Sequence, residues 1–422
     1  MDTHPTLAEP SSPARPSVRP GPPSRRRGLV RAAYRALVLL LIGLNAWWFW
    51  RDRPPVELRT VDAWIVQGKV QEAEQALRDR LRRSPRDGEA RTKLSQILGK
   101  RGDYLGLARQ LHEVPAWWPT KGQALFMEGQ AYKRLNRARD AEPAWLRCTA
   151  DDPLHPVSSL YYSHAARELV ALYLMEDRLD EARDTLRRAY VVADPSERPG
   201  ILIMRMAMEL NRISHEESLG TLRQYVAADP ADWEARRGLA LEELAARQEA
   251  TASRLILECQ KARPADVAVC RTALEISYQK GDREAIKAAL ARLPAGADAD
   301  AEIWKFRGLG CEWNNDMPGA AEAYRRAAAL NPAEGEYLYK LGVAEQRAGQ
   351  TGQAEQHIRR SQELRTAFPK FHDAYFDFLD ILKKSHPGNP DYNAAVERLA
   401  GFCDLFGWKP EAQAWRQIIA AG

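Results

Sequence analysis

The chain has 422 residues, with 62 Lys and Arg against 57 Asp and Glu, a formal net charge of +5. That excess is confined to residues 1–35, where seven arginines face only Asp2 and Glu9, so the remainder is neutral. A pI near 8.9 therefore reflects one end of the chain, and the interspersed charges beyond it form no basic stripe of the kind that tracks a phosphate backbone.

Residues 1–28 hold seven prolines with Ser, Gly and Arg and almost no large apolar side chain, a composition that cannot build a core and predicts a disordered basic tail. Pro10, Pro13 and Pro16 repeat every third residue, which is compatible with polyproline II. Residues 36–50, ALVLLLIGLNAWWFW, carry no charge. Together with Leu29–Arg35 they make a 22-residue stretch, residues 29–50, long enough for a transmembrane helix through ~30 Å of hydrocarbon. Trp47, Trp48 and Trp50 gather at its far end, where amphipathic rings favour the headgroup boundary. No small-x-small cleavage site follows, so an uncleaved anchor is expected. Seven arginines before the uncharged residues 36–50 and only Arg51, Asp52 and Arg53 just after them predict a cytoplasmic N-terminus and a translocated remainder.

From residue 57 onward the chain obeys a ruler of 34. Gly68, Gly102 and Asn136, and again Gly281, Asn315 and Gly349, stand 34 apart, as do Pro85, Pro119 and Pro153. A fixed period of this length marks stacked helical hairpins. Small residues at Ala73, Ala141, Ala182, Ala252, Ala320, Ala354 and Ala412 fall five positions after each turn. Gly129, Gly308 and Gly342 take a facing position on the first helix, so that two helices can approach closely. Leu77, Leu111, Trp145, Leu186, Leu222, Ile256, Tyr324 and Ile358 then read as core.

These residues resemble the tetratricopeptide repeat, best in Leu125–Pro153, Trp304–Pro332 and Leu338–Leu364, with weaker copies over most of residues 57–422. The resemblance implies an all-α fold: an α-solenoid of about nine stacked hairpins over 57–366, forming a right-handed superhelix with a concave groove, preceded by the one transmembrane helix. Leu107 and Ile286 depart from the small crossing residue, and Asp298 stands where a closing proline is expected. A longer loop is expected at Leu154–Ser163. Phe368–Lys384, within 367–422, reads as an irregular helix without an assigned hairpin partner, followed by a C-terminal hairpin over Tyr392–Ile419.

Chemistry is sparse. The histidines lack His-x-x-x-His spacing and the five cysteines lack a C-x-x-C pair, so no metal site is expected. No phosphate loop or nucleophile elbow is present, and no cofactor is expected. Acidic clusters such as Asp151 and Asp152, or Asp298, Asp300 and Glu302, fall at hairpin ends, where helix N-termini attract anions. The resemblance places first-helix residues on the concave face, giving Gln130, Lys133, Arg167, Arg237, Lys305 and Lys340 as candidate partner-binding residues. The lysine and asparagine clamp of chaperone-binding relatives is not reproduced, since the asparagine-equivalent positions are Gln130, Ala171, Leu241, Leu309 and Val343. A protein or peptide segment, more apolar than a carboxylate terminus, is the expected occupant.

The expectation is a non-enzymatic, membrane-anchored scaffold for assembly, folding or secretion of envelope proteins, with its array on the far side of the membrane. Two alternatives remain at this stage. One is an enzyme or enzyme subunit acting on cell-wall polymer or glycan, with Asp377 and Asp380 as candidates in 367–391. The other is an organelle import receptor with a cytosolic array.

Overall fold

Left-handed backbone recurs on the same ruler as the sequence grid. In the computed structural model, Gly68, Gly102, Gly281 and Gly349 have φ of 78°, 78°, 70° and 84°, and Asn136 and Asn315 have φ of 57° and 59°. A helix that must reverse within one or two residues needs this conformation, which glycine and asparagine adopt most readily. Asp177 (φ 52°), Arg247 (φ 63°) and Gly407 (φ 77°) serve three further turns.

The structure describes residues 37–42, 56–150, 154, 156–210, 214–386 and 388–421. The expected tail 1–28 lies outside the described residues, as do Asp151, Asp152, Pro153, His155 and most of the expected span 29–50. Residues 37–42 are helical (α1), and among the described residues no helix is long and apolar enough to cross a membrane. The chain divides into two units, Met1–Ala63 and Trp64–Gly422, with the boundary inside α2 (Leu58–Val66).

Every longer regular element of the second unit is an α-helix: α3 (Val70–Arg83), α4 (Gly88–Lys100), α5 (Tyr104–His112), α6 (Lys121–Arg134), α7 (Ala138–Cys148), α8 (Ser159–Met175), α9 (Leu179–Val192), α10 (Arg198–Leu210) and α11 (His215–Ala228). They continue with α12 (Trp233–Ala245), α13 (Glu249–Ala262), α14 (Val267–Gln279), α15 (Arg283–Leu290), α16 (Ala301–Trp313), α17 (Met317–Leu330), α18 (Gly335–Arg347), α19 (Thr351–Leu382), α20 (Pro390–Leu405) and α21 (Lys409–Ala421). Most sequential neighbours pack on one another, and the first helices of successive hairpins, α6 with α8, α12 with α14 and α14 with α16, also touch. Aspartates start many of these helices. Asp232, Asp266 and Asp300, 34 apart, each accept a hydrogen bond at 3.0 Å from the backbone N–H three residues on, capping an exposed donor and favouring the positive end of the helix.

Ala73, Ala141, Ala182, Ala252, Ala320, Ala354 and Ala412 are all buried, as are Leu77, Trp145, Leu186, Ile256 and Tyr324. The facing glycines act differently from the expected backbone contact. A β-carbon on Gly129 would fall on the Trp145 indole and one on Gly308 on the Tyr324 ring, so these glycines make room for the large residue of the second helix. At Gly342 the missing β-carbon would meet Ile358 Cγ1 at 2.6 Å and the Ala354 carbonyl at 2.9 Å.

Two elements depart from the ruler. The expected loop 154–163 is partly helix, because α8 begins at Ser159 and runs 17 residues. The expected break at 366/367 falls inside α19, one 32-residue helix that carries Pro369 and pairs with α20. Its second half belongs to a core of Phe371, Phe378, Tyr392, Phe406 and Trp415, which Leu202 and Met206 of α10 complete. Helix α10 packs on α9 and on α21, so contacts return across about 200 residues of sequence. Buried Arg205 of α10 donates to Glu411 of α21 at 3.1 Å and stacks over Trp408 at 5.0 Å.

Candidate functional site

The first-helix face carries a stair of cations. Arg237 on α12, Arg271 on α14 and Lys305 on α16 are 34 residues apart, each four residues past the first position of its helix. Arg237 and Lys305 are legible as groove candidates. Arg271, absent from those candidates, lies on the same ruler one period beyond Arg237.

The structure turns this stair inward. Arg237 is buried, donates to the Glu176 carbonyl oxygen, and lies 3.4 Å from Thr272 Oγ1 and 3.6 Å from Asp177 Oδ2. Arg271 donates to Asp177 Oδ2 at 3.0 Å, to the Asp177 carbonyl at 3.1 Å and to Asp300 Oδ2 at 3.2 Å. Thus two guanidiniums grip the left-handed turn that joins α8 to α9. Gly238 permits the approach: a β-carbon there would lie 2.5 Å from the Met175 carbonyl oxygen. Burial lowers the Arg237 pKa, opposed by the Asp177 charge. Lys305 is also buried, where it pairs with Glu302 and lies 3.9 Å from Glu275. Burial opposes its charge, but these carboxylates outweigh it and raise its pKa.

A different surface stands on α6 and α8. Gln130 and Lys133 of α6 share one carboxylate, donating to Glu168 Oε1 at 2.7 Å and Oε2 at 2.6 Å. Beside them half-buried rings gather: His164 is 5.5 Å from Phe126 and 6.5 Å from Tyr161, and Phe126 is 6.2 Å from Tyr161. Arg167 is exposed on the same helix as His164 and Glu168. This patch combines apolar rings with cations that water still reaches, since the Lys133 side chain keeps 43% exposure. Lys340, the last of the six candidates, lies apart on α18, 3.6 Å from Glu336 and 6.0 Å from the centre of the Tyr324 ring. The six candidates therefore fall into separate clusters.

Several other polar groups are paired within the fold. Arg223 donates to buried Glu243 at 2.8 Å and Arg325 to buried Glu345 at 3.0 Å, one ion pair repeated 102 residues apart. Glu176 is fully buried, and burial pushes its pKa up to about 8 against the pull of Arg178 at 3.0 Å. Asp377 and Asp380 of the expected irregular segment are exposed and pair with Arg398 at 3.5 Å and Lys383 at 2.7 Å. The five thiols are free, and burial raises Cys148 and Cys403 to about 12. Among the described residues, no group of three His, Cys, Asp or Glu side chains is placed to hold a metal ion.

The tetratricopeptide repeat family model matches residues 126–198 and 314–370. Those segments cover most of α6 with all of α7–α9, and α17 and α18 with the first part of α19. By that match these two stretches, under half of the chain, are tetratricopeptide repeats. These repeats form an all-helical solenoid, a fold typical of interaction scaffolds. Among solved structures, MamA from Desulfovibrio magneticus RS-1 is 22% identical with a TM-score of 0.31, covering 39% of this chain and 94% of that one. A tetratricopeptide repeat protein from Parabacteroides merdae is 13% identical with a TM-score of 0.30, covering 61% and 98%. A monomeric mutant of IFIT1 with Gppp-AAAA is 13% identical with a TM-score of 0.33, covering 79% and 90%. No curated protein matches the chain.

Proposed function

We propose that the protein is a membrane-anchored repeat scaffold that holds a segment of another protein on the α6–α8 face during assembly, folding or secretion of envelope proteins. The observation that carries this reading is the contrast between two clusters of first-helix residues. The Arg237–Arg271 steps are consumed by the chain's own Asp177, whereas Phe126, Tyr161, His164, Lys133 and Arg167 are left partly open to solvent. Rings flanked by cations suit an extended or helical segment with apolar side chains and an occasional acid. The anchor is residues 29–50, with the basic tail in the cytoplasm and the repeats on the other side, supported by arginine asymmetry.

A photoreactive residue at His164 in the full chain tests this. One discrete protein adduct in cells, lost in Phe126→Ala with Arg167→Glu, is the expected result. An adduct pattern that ignores those substitutions would sink the α6–α8 assignment. Protease protection of the repeats in sealed membranes, released on opening them, checks the topology. Digestion without opening would favour a cytosolic array.

A further inference from the structure

The turn between α3 and α4 and the connection between α5 and α6 meet in an open, mostly apolar dish lined by Pro85, Arg86, Gly88, Trp117 and Trp118. Trp118 is seated, because a β-carbon on Gly88 would lie 2.7 Å from its Cγ. Its N–H bonds the Pro115 carbonyl at 3.1 Å, and the Lys121 N–H bonds the Trp118 carbonyl at 2.9 Å, so the connection is braced. Yet Trp117, edge-on to Trp118 at 5.9 Å, remains 57% exposed. A large ring left mostly in water by a braced connection adds little packing to the repeats.

The surroundings are basic. Residues 78–87, RDRLRRSPRD, hold five arginines against two aspartates. Both aspartates are engaged: Asp79 by Arg82, and Asp87 by Arg80 at 2.5 Å and the Ala90 N–H at 3.0 Å. Arg82, Arg83 and Arg86 are exposed. Tryptophan beside arginine is the pairing that favours a bilayer interface, the ring at headgroup depth and the cation on an anionic headgroup. Chain length supplies the reach. Seven residues, 51–57, separate the span from α2, at most about 25 Å of extended chain.

The geometry points to a second, peripheral membrane contact: the 82–88 turn and the 115–119 connection rest on the anionic lipid surface and fix the first repeats against the bilayer. This rests on the anchored reading, and the two are separable by experiment. Full-length protein is placed in nanodiscs of phosphatidylcholine with and without phosphatidylglycerol, and amide exchange is followed. Segments 82–88 and 114–120 should exchange at least fivefold more slowly in the anionic discs. That protection should vanish in Trp117→Ser with Arg86→Gln and weaken at high salt. Because Trp117 is exposed, the variant should melt as the wild type does. Equal exchange in both discs and in detergent, with the chain resisting carbonate extraction, overturns the contact and leaves the anchor standing. Release of the chain by carbonate instead removes the anchor, and the contact falls with it.

Discussion

Asp177 concentrates two demands in one residue. Its backbone is left-handed, at φ 52°, and its carboxylate faces Arg271 at 3.0 Å and Arg237 at 3.6 Å. Asp177→Asn keeps a residue that tolerates that conformation and removes only the charge. Breaking a buried ion pair costs more than the pair contributes, because a charge is left behind. The pairing here is partly open to water, so urea unfolding should show a loss of about 2 kcal/mol. Glu176, its neighbour, gives a pH signature. Its folded pKa, about 8, lies above the ordinary glutamate value of 4.5, so between those values the folded state binds more protons than the unfolded one. Stability from this group is therefore complete below about pH 4.5 and lost as pH rises through about 8. Unfolding measured from pH 5 to 9 should show Glu176→Gln removing a slope of up to about 1.4 kcal/mol per pH unit. Neither group was legible as functional in the sequence. Both sit at a turn lacking glycine or asparagine, where only Ala182, five residues on, kept the register visible.

Helix α19 shows how an element escapes a periodic reading. Its first half follows the repeat, with Ala354 buried at the crossing, but no turn residue ends it where the ruler requires, and it continues to Leu382. The aromatic spacing of 368–384 is legible as helical. Its partners are not, because Trp415 and Tyr392 meet Phe378 only after α20 and α21 fold back, with ring centres 5.3 Å and 5.6 Å away. Phe378 is fully buried among them, and Phe378→Ala should lower stability by about 3–5 kcal/mol in chemical denaturation. A loss below about 1 kcal/mol would mean that the C-terminal helices contribute little core.

At the scale of the whole molecule, a repeat array ordinarily couples each unit only to its neighbours. Here the α10–α21 contact adds a link between distant units. Met206 of α10 is fully buried in the core shared with α20 and α21, its sulfur 3.7 Å from Cys403 Sγ of α20. Met206→Asp places an unpaired carboxylate there. Calorimetry should then resolve an early transition for the C-terminal helices, ahead of the remaining repeats. A single transition at an unchanged temperature would show that this link does not couple the ends.

The amino-acid sequence alone determined the hairpin unit, its period and the buried alanine crossings, because these depend on contacts a few residues apart, which recur with every copy and can be read from spacing. The tertiary structure decided which cations of the helical face are satisfied internally, that α10 turns to meet α21, and that two tryptophans and an arginine share one dish. Those outcomes join residues tens to hundreds of positions apart. Periodicity places a side chain on a face, but the neighbour opposite it is set only when the chain has folded back on itself.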